Sequence, residues 1–201
     1  MLYEKYFKRA FDFIASLCGL IILFPMFIVI AVLIKIEDGG RVFFRQTRVG
    51  QNGKLFKIYK FRTMVENAEK MGAQVTKGDD PRITKIGKIL RKYKLDEFPQ
   101  LINVVKGEMS LVGPRPEVPK YVKFFEEDYK EILRVKPGIT DYASLEYKDE
   151  NELLRGVDDP ERVYLEKILP EKIKYYKRYL KEISFLTDLK LILKTIMEIF
   201  K

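Results

Sequence analysis

The chain has 201 residues, with 38 Lys and Arg against 29 Asp and Glu, a net charge of +9 and no histidine. The missing histidine excludes His-based acid–base chemistry, Ser-His-Asp triads and the usual zinc sites, and leaves carboxylates, Lys, Tyr and hydroxyls as the chemical menu. The length fits one domain, and the basic balance suits nucleic acid, anionic lipid or nucleotide phosphates alike, so charge alone does not choose among partners.

The first element is an uncharged run of 22 residues from Phe13 to Ile34. As straight helix it would reach roughly 33 Å, enough for a bilayer core of about 30 Å. Two features favour a re-entrant hairpin over a span. Lys5, Lys8 and Arg9 precede the run, while Lys35, Arg41, Arg45 and Arg48 follow it, and a hairpin keeps both clusters in the cytoplasm. Pro25 removes a helix hydrogen bond near the middle and clashes with the carbonyl four residues earlier. On these residues alone, span and hairpin stand level. No small-residue cleavage site follows, so the anchor is expected to persist. Cys18, the single cysteine, lies within the run; no intrachain disulfide can form, which permits a cytosol-facing body.

Val42 to Gln46 and Lys54 to Arg62 are rich in β-formers and flank Gln51-Asn52-Gly53, which predicts a hairpin over 42–62 with a type I′ turn. Its basic and aromatic residues describe a charged amphipathic strand better than a base-stacking surface. Asp79-Asp80-Pro81 marks a turn, and Ile83 to Lys94 has helical apolar spacing with a basic opposite face.

From Leu95 to Pro116 the chain reads LDEFPQ, LINVVKGEMS and LVGPRP. Pro99 and Gly107 are start and stop signals, predicting a helix over about 98–106 with an ionised Asp96 near its N-cap. Glu97 adds a second carboxylate, and two hard oxygen donors suit Mg²⁺. Arg115, held between Pro114 and Pro116, is suited to bidentate phosphate recognition. Each residue also has a plainer reading: Asp96 as a cap, Arg115 as a surface arginine in a turn.

Val118 to Arg134 predicts one packing helix ended by Pro137-Gly138, and residues 146–162 read as an acidic loop with a turn or helix start at Asp158-Asp159-Pro160. Two helices follow, Pro170 to Glu182 and Ser184 to Lys201. The second suits a membrane interface or a core equally.

At these motifs the chain resembles the bacterial sugar transferases, the small monotopic phosphoglycosyl transferases. LDEFPQ and GEMSLVGPRP carry the resemblance, together with Arg48-Val49-Gly50, the KIYKFRTM stretch from Lys57 to Met64, and the KPGIT stretch from Lys136 to Thr140, in order along most of the chain. The resemblance implies transfer of a sugar phosphate from a UDP-sugar to polyprenyl phosphate, releasing UMP, at the cytoplasmic face of the bacterial inner membrane. It favours the hairpin, bent at Pro25. Asp96 is then the expected covalent nucleophile, Glu97 the Mg²⁺ ligand, and Arg115 and Arg91 the phosphate contacts, with Lys60 and Arg62 as further candidates for donor or acceptor phosphate. The expected architecture is an α-rich α+β chain, with residues 1–36 as a membrane-embedded re-entrant helix and 37–201 as a cytoplasmic catalytic domain on the membrane surface. A small β-hairpin and amphipathic interfacial helices would surround the active site. Membrane lipid is an expected partner and nucleic acid is not. The competing readings are a basic nucleic-acid-binding module or a lipid-binding scaffold without catalysis. Two departures stand out: Phe24 where relatives often have serine, and Asp141 where they commonly have glycine, which bears on donor preference.

Overall fold

The computed structural model describes residues 3–68, 71 and 80–199. A short π-helical turn, Tyr3–Phe7, leads into α1, Lys8–Asp38. This 31-residue helix continues through Pro25 and stops at Gly39, which takes a left-handed φ of 71° and donates its N–H to the Lys35 carbonyl. One side of α1 seats on the rest of the protein. Asp12 and Ser16 are buried before Pro25, Ile30 and Ile34 after it, each pair at the i, i+4 spacing of one helix face. Ile21, Ile22, Phe24, Ile28, Val29, Val32 and Leu33 are exposed.

Both ends of α1 are tied to the same body. Near its start, Arg9 donates to the Val104 and Val105 carbonyls at 2.6 and 2.9 Å, and Asp12 accepts from the Ser110 hydroxyl at 2.7 Å. Lys8 reaches the Val112 carbonyl at 2.9 Å and pairs with Asp188. At its other end, Asp38 pairs with Arg62. Glu37 accepts from the backbone N–H groups of Lys85 and Ile86 at 2.7 and 3.2 Å, so a carboxylate from α1 occupies the positive end of the next helix.

Strands β1, Phe43–Val49, and β2, Leu55–Phe61, pair antiparallel with Phe43 opposite Phe61 and Val49 opposite Leu55. Asn52 and Gly53 both have positive φ, 56° and 75°, with Lys54 N–H bonded to the Gln51 carbonyl, as the Asn-Gly pair requires of a type I′ turn. The strands cover slightly different ranges from those expected. Helix α2, Lys85–Lys92, is capped by Thr84, whose hydroxyl accepts from Gly87 N–H. Asp79 of the expected turn lies outside the described residues; Asp80 pairs with Arg82 at 2.6 Å.

Helix α3 spans Gln100–Lys106, later than the predicted start, and ends at Gly107 with φ 82°. After it, β3, Ser110–Val112, pairs in parallel with β4, Gly138–Thr140. The single helix expected over Val118 to Arg134 is two: α4, Pro119–Phe124, and α5, Glu126–Ile132, broken at Phe125. The acidic run Glu126-Glu127-Asp128 in the first turn of α5 favours a new N-terminus there. The stretch read as a loop carries short helices around it: α6, Tyr142–Glu146; α7, Glu150–Leu153; and α8, Pro160–Val163, started by an Asp159 cap on Arg162 N–H.

A π-helical turn, Tyr164–Ile168, then joins α8 to α9, Leu169–Glu182, and α10, Phe185–Ile199, follows. Tyr121, Tyr129, Leu154, Leu169 and Tyr176 form the main core; a second cluster joins Ile30 and Ile34 to Phe61 and Leu90. Helix α10 buries Asp188 and Leu191 against the body, yet exposes Leu186, Leu193, Ile196 and Met197. It is packed on one face and apolar on another. Among the described residues the architecture is helix-rich with two small sheets and one long apolar N-terminal helix.

Candidate active site

The three-residue 3₁₀ turn Leu95–Glu97 sits between α2 and α3, entered through Lys94 in the left-handed region, φ 55°. Asp96 is therefore not at the N-cap of α3, which is Pro99; the expected N-cap placement is corrected. Pro99 and the tight turn push the helix start onward, so the first-turn dipole falls beyond the carboxylate. Asp96 is buried, 8% exposed, and its carboxylate makes no hydrogen bond to any described residue. Burial raises its proton affinity above the ordinary carboxylate range; Lys60 opposes this, ionised Glu97 adds to it, and Arg91 and Lys94 oppose it further.

Glu97 has the opposite character. Its carboxylate is gripped by the Arg115 guanidinium through two hydrogen bonds of 2.5 and 3.2 Å, and by Lys60 at 2.7 Å. Burial works against ionisation, but Arg115 and Lys60 together outweigh it and hold the carboxyl well below its usual range. The site therefore pairs a carboxylate held by two cationic side chains, with one acceptor site left on the oxygen that only Arg115 touches, with a neighbouring carboxylate whose oxygens are free.

Secondary structure explains why these side chains meet. Lys60 lies near the end of β2, and β2 is locked to α3 by Asn103. The Asn103 amide accepts from Tyr59 N–H at 2.9 Å and donates to the Lys57 carbonyl at 2.9 Å and to Glu108 at 2.7 Å. Arg115 is fixed by its backbone: its N–H bonds Asp141 at 3.0 Å, the preceding Pro114 carbonyl accepts from Gly138 N–H at 3.0 Å, and Gly113 N–H bonds the Thr140 carbonyl at 3.0 Å. Arg91 on α2 donates to the Thr63 hydroxyl at 2.8 Å and adds a cation felt by both carboxylates.

Of the residues singled out by sequence, Asp96, Glu97, Lys60, Arg115 and Arg91 come together here. Arg62 does not join them. Its buried guanidinium pairs with Asp38 at the end of α1, because the strand ends at Phe61 and the next side chain turns toward α1. Sequence reasoning passed over Asn103, Thr63, Glu37 and Lys94. Asn103 had a signal: an amide in the middle of the apolar run Leu101-Ile102-Asn103-Val104-Val105 needs buried partners.

Among the described residues no group of three acidic, Cys or His side chains gathers as a metal cage. Mg²⁺ is commonly held by one or two carboxylates, with phosphate oxygens and water completing its octahedron. Glu97, whose second oxygen accepts only one hydrogen bond, fits that donor set, provided the phosphates come from a substrate.

Comparison with known proteins places these features in a family. The chain matches the bacterial sugar transferase family over residues 3–201. It is 38% identical over 199 residues to the UDP-N-acetylgalactosamine-undecaprenyl-phosphate N-acetylgalactosaminephosphotransferase of Aeromonas hydrophila, covering 96% of this chain and 44% of that one. It is 34% identical over 206 residues to the UDP-glucose:undecaprenyl-phosphate glucose-1-phosphate transferase of Escherichia coli, covering 98% and 41%. The exopolysaccharide production protein ExoY of Sinorhizobium fredii is 40% identical over 148 residues, 66% of each chain. The chain thus spans less than two thirds of the length of these relatives. With the family's match running from the π-helical turn before α1 to the end of the chain, this protein belongs to the bacterial sugar transferase family.

Proposed function

We propose that this protein transfers a sugar 1-phosphate from a UDP-sugar to polyprenyl phosphate at the cytoplasmic face of a bacterial inner membrane. The observation that carries this reading is the buried Asp96 carboxylate, without a hydrogen-bond partner among the described residues and set among Lys60, Arg91 and Lys94. A carboxylate kept free among cations is disposed to attack an anionic phosphorus centre, since the cations offset the repulsion between nucleophile and phosphate.

In the first step an Asp96 oxygen attacks the sugar-bearing phosphorus; the diphosphate bridge breaks and UMP leaves with the electron pair. In the second, a polyprenyl phosphate oxygen attacks that phosphorus, the aspartyl bond breaks, and Asp96 regains its carboxylate. Arg115 and Lys60, which now neutralise Glu97, would turn to phosphate oxygens of a bound substrate. Bound Mg²⁺ would be held by Glu97 together with substrate phosphate oxygens and would neutralise the diphosphate, leaving Asp96 free to attack. UDP donors and undecaprenyl phosphate recur in the names of the Aeromonas and Escherichia relatives, while the sugar differs between N-acetylgalactosamine and glucose. That pattern supports the reaction class and leaves the sugar to experiment.

The two-ended seating of α1 supports a membrane element that enters and leaves on one side. Arg9 and Asp12 before Pro25, and Glu37 and Asp38 after it, all bind the same body. A straight crossing would separate these ends by the bilayer core, about 30 Å. Bending at Pro25 would carry the exposed apolar residues into one leaflet and leave Asp96 at headgroup depth, where the phosphate of a lipid acceptor lies.

The test is UMP release from a panel of UDP-sugars by purified protein with undecaprenyl phosphate and Mg²⁺. Lipid-dependent release by the wild type, lost in Asp96→Asn, is the expected result. Silence across the panel from folded protein would favour a lipid-binding scaffold.

A further inference from the structure

Asp141 is 1% exposed, and both of its carboxylate oxygens are used on backbone N–H groups. One oxygen accepts from Ser144 at 2.5 Å, capping α6; the other accepts from Arg115 at 3.0 Å. The residue thus links the start of α6 to the loop whose guanidinium grips Glu97. The remaining backbone groups of that loop are held by glycine-dependent contacts. Gly138 approaches Gly113 so closely that a Cβ on Gly138 would lie 2.1 Å from the Gly113 nitrogen, and the Pro114 carbonyl and Gly113 N–H bond β4. Arg115 N–H is the one amide of the Gly113-Pro114-Arg115 segment held by a side chain instead of by β4.

We infer that Asp141 is a positioning residue for Arg115, fixing the backbone from which the guanidinium reaches Glu97 and a substrate phosphate. A side chain is necessary for this, so the clamp is a property of a chain with aspartate at this position. The inference rests on the transferase reading. The physical reason is geometric: a bidentate guanidinium is productive only when its origin is fixed, and small displacements of a phosphate-holding group are costly to turnover. Asp141 acts through Arg115 and touches no reacting atom.

Asp141→Ser separates the two tasks of the carboxylate. A serine hydroxyl still caps α6 but is too short to reach Arg115 N–H as well. In Asp141→Ser, kcat for UMP release falls about tenfold, as expected for loss of one charge-assisted hydrogen bond that holds a catalytic group, with the melting temperature lowered by a few degrees and the protein still folded. Hydrogen exchange at the Arg115 amide speeds up in the same variant. In an Arg115→Met background, Asp141→Ser costs no further activity, because the group it positions is gone. Equal fold losses in both backgrounds, or an unchanged Arg115 amide, would overturn the positioning role while leaving the transferase reading intact. A wild-type protein without turnover on any UDP-sugar would overturn the transferase reading and this role with it.

Discussion

Asp96 and Glu97 are neighbours in sequence with opposite electrostatic fates, and the difference sets what each can do. Glu97 is held ionised by Arg115 and Lys60, whereas burial raises the proton affinity of Asp96. Asp96→Asn should lower UMP release at least a thousandfold, on the scale of nucleophile removal in other enzymes, roughly 10³ or more. Its stability should move the other way. An acid that binds its proton more tightly in the folded than in the unfolded state costs stability as pH rises through the two values, so a neutral asparagine removes that cost at neutral pH. No hydrogen bond among the described residues is lost with the charge. The expected melting temperature of Asp96→Asn is therefore equal to or above wild type, and a marked drop would show that the carboxylate is structural. The same shift predicts a pH profile. Catalysis requires ionised Asp96, so kcat/KM should fall with decreasing pH at a point above the ordinary carboxylate range. Lys60→Met removes the cation that most opposes the upward shift, and its acid limb should move to higher pH. An unmoved limb would mean that another group limits turnover. Arg115→Lys keeps the charge but loses the two-point grip on Glu97, and roughly a hundredfold loss of kcat is expected.

At the scale of elements, what was legible in the sequence was what is encoded locally. Asn52-Gly53 announced its turn because both residues need positive φ, and Gly107 announced the end of α3 for the same reason. The apolar spacing and basic face of Ile83 to Lys94 marked α2, while its Thr84 cap came only with the structure. Pairings between distant segments were not legible: β3 and β4 are three residues each, too short for a period, and their parallel contact depends on two glycines from separate motifs lying back to back. Arg62 looked like a phosphate ligand because its partner, Asp38, is a carboxylate at the far end of the long apolar helix α1. Only the tertiary structure brings it there. Among these hidden contacts, the glycine pair lends itself to a sharp test. In Gly138→Ala the new methyl would meet backbone atoms of Gly113 at 2.1 to 2.7 Å, and backbone cannot rotate out of the way. The variant should lose about 3 kcal/mol, the upper end for overpacking. Denaturant unfolding measures this, and a cost below about 1 kcal/mol would show that the two motif loops can part without consequence.

For the molecule as a whole, the membrane reading gives the arrangement a direction: α1 would be the apolar anchor, and both of its ends are bound to the body that carries Lys60, Arg91 and Arg115. The exposed apolar faces of α1 and α10 agree with this. Phe185 packs edge-on against Phe11 at 5.6 Å and Tyr3 at 6.0 Å, which brings the start of α10 to the start of the anchor. A protein built so has both flanks of the anchor on the side of its body, and its topology can be measured directly. In a Cys18→Ser background, single cysteines at Glu4 and Arg41 report the two flanks; both positions are exposed. With the body in the cytoplasm, a membrane-impermeant maleimide should leave both cysteines unmodified in intact spheroplasts and modify both in inverted vesicles. Labelling of one flank in each preparation would make α1 a span, with Pro25 a kink within it. That outcome would conflict with the bonds now tying both ends of α1 to one body, since Arg9 and Glu37 could not reach α3 and α2 from opposite faces of a bilayer.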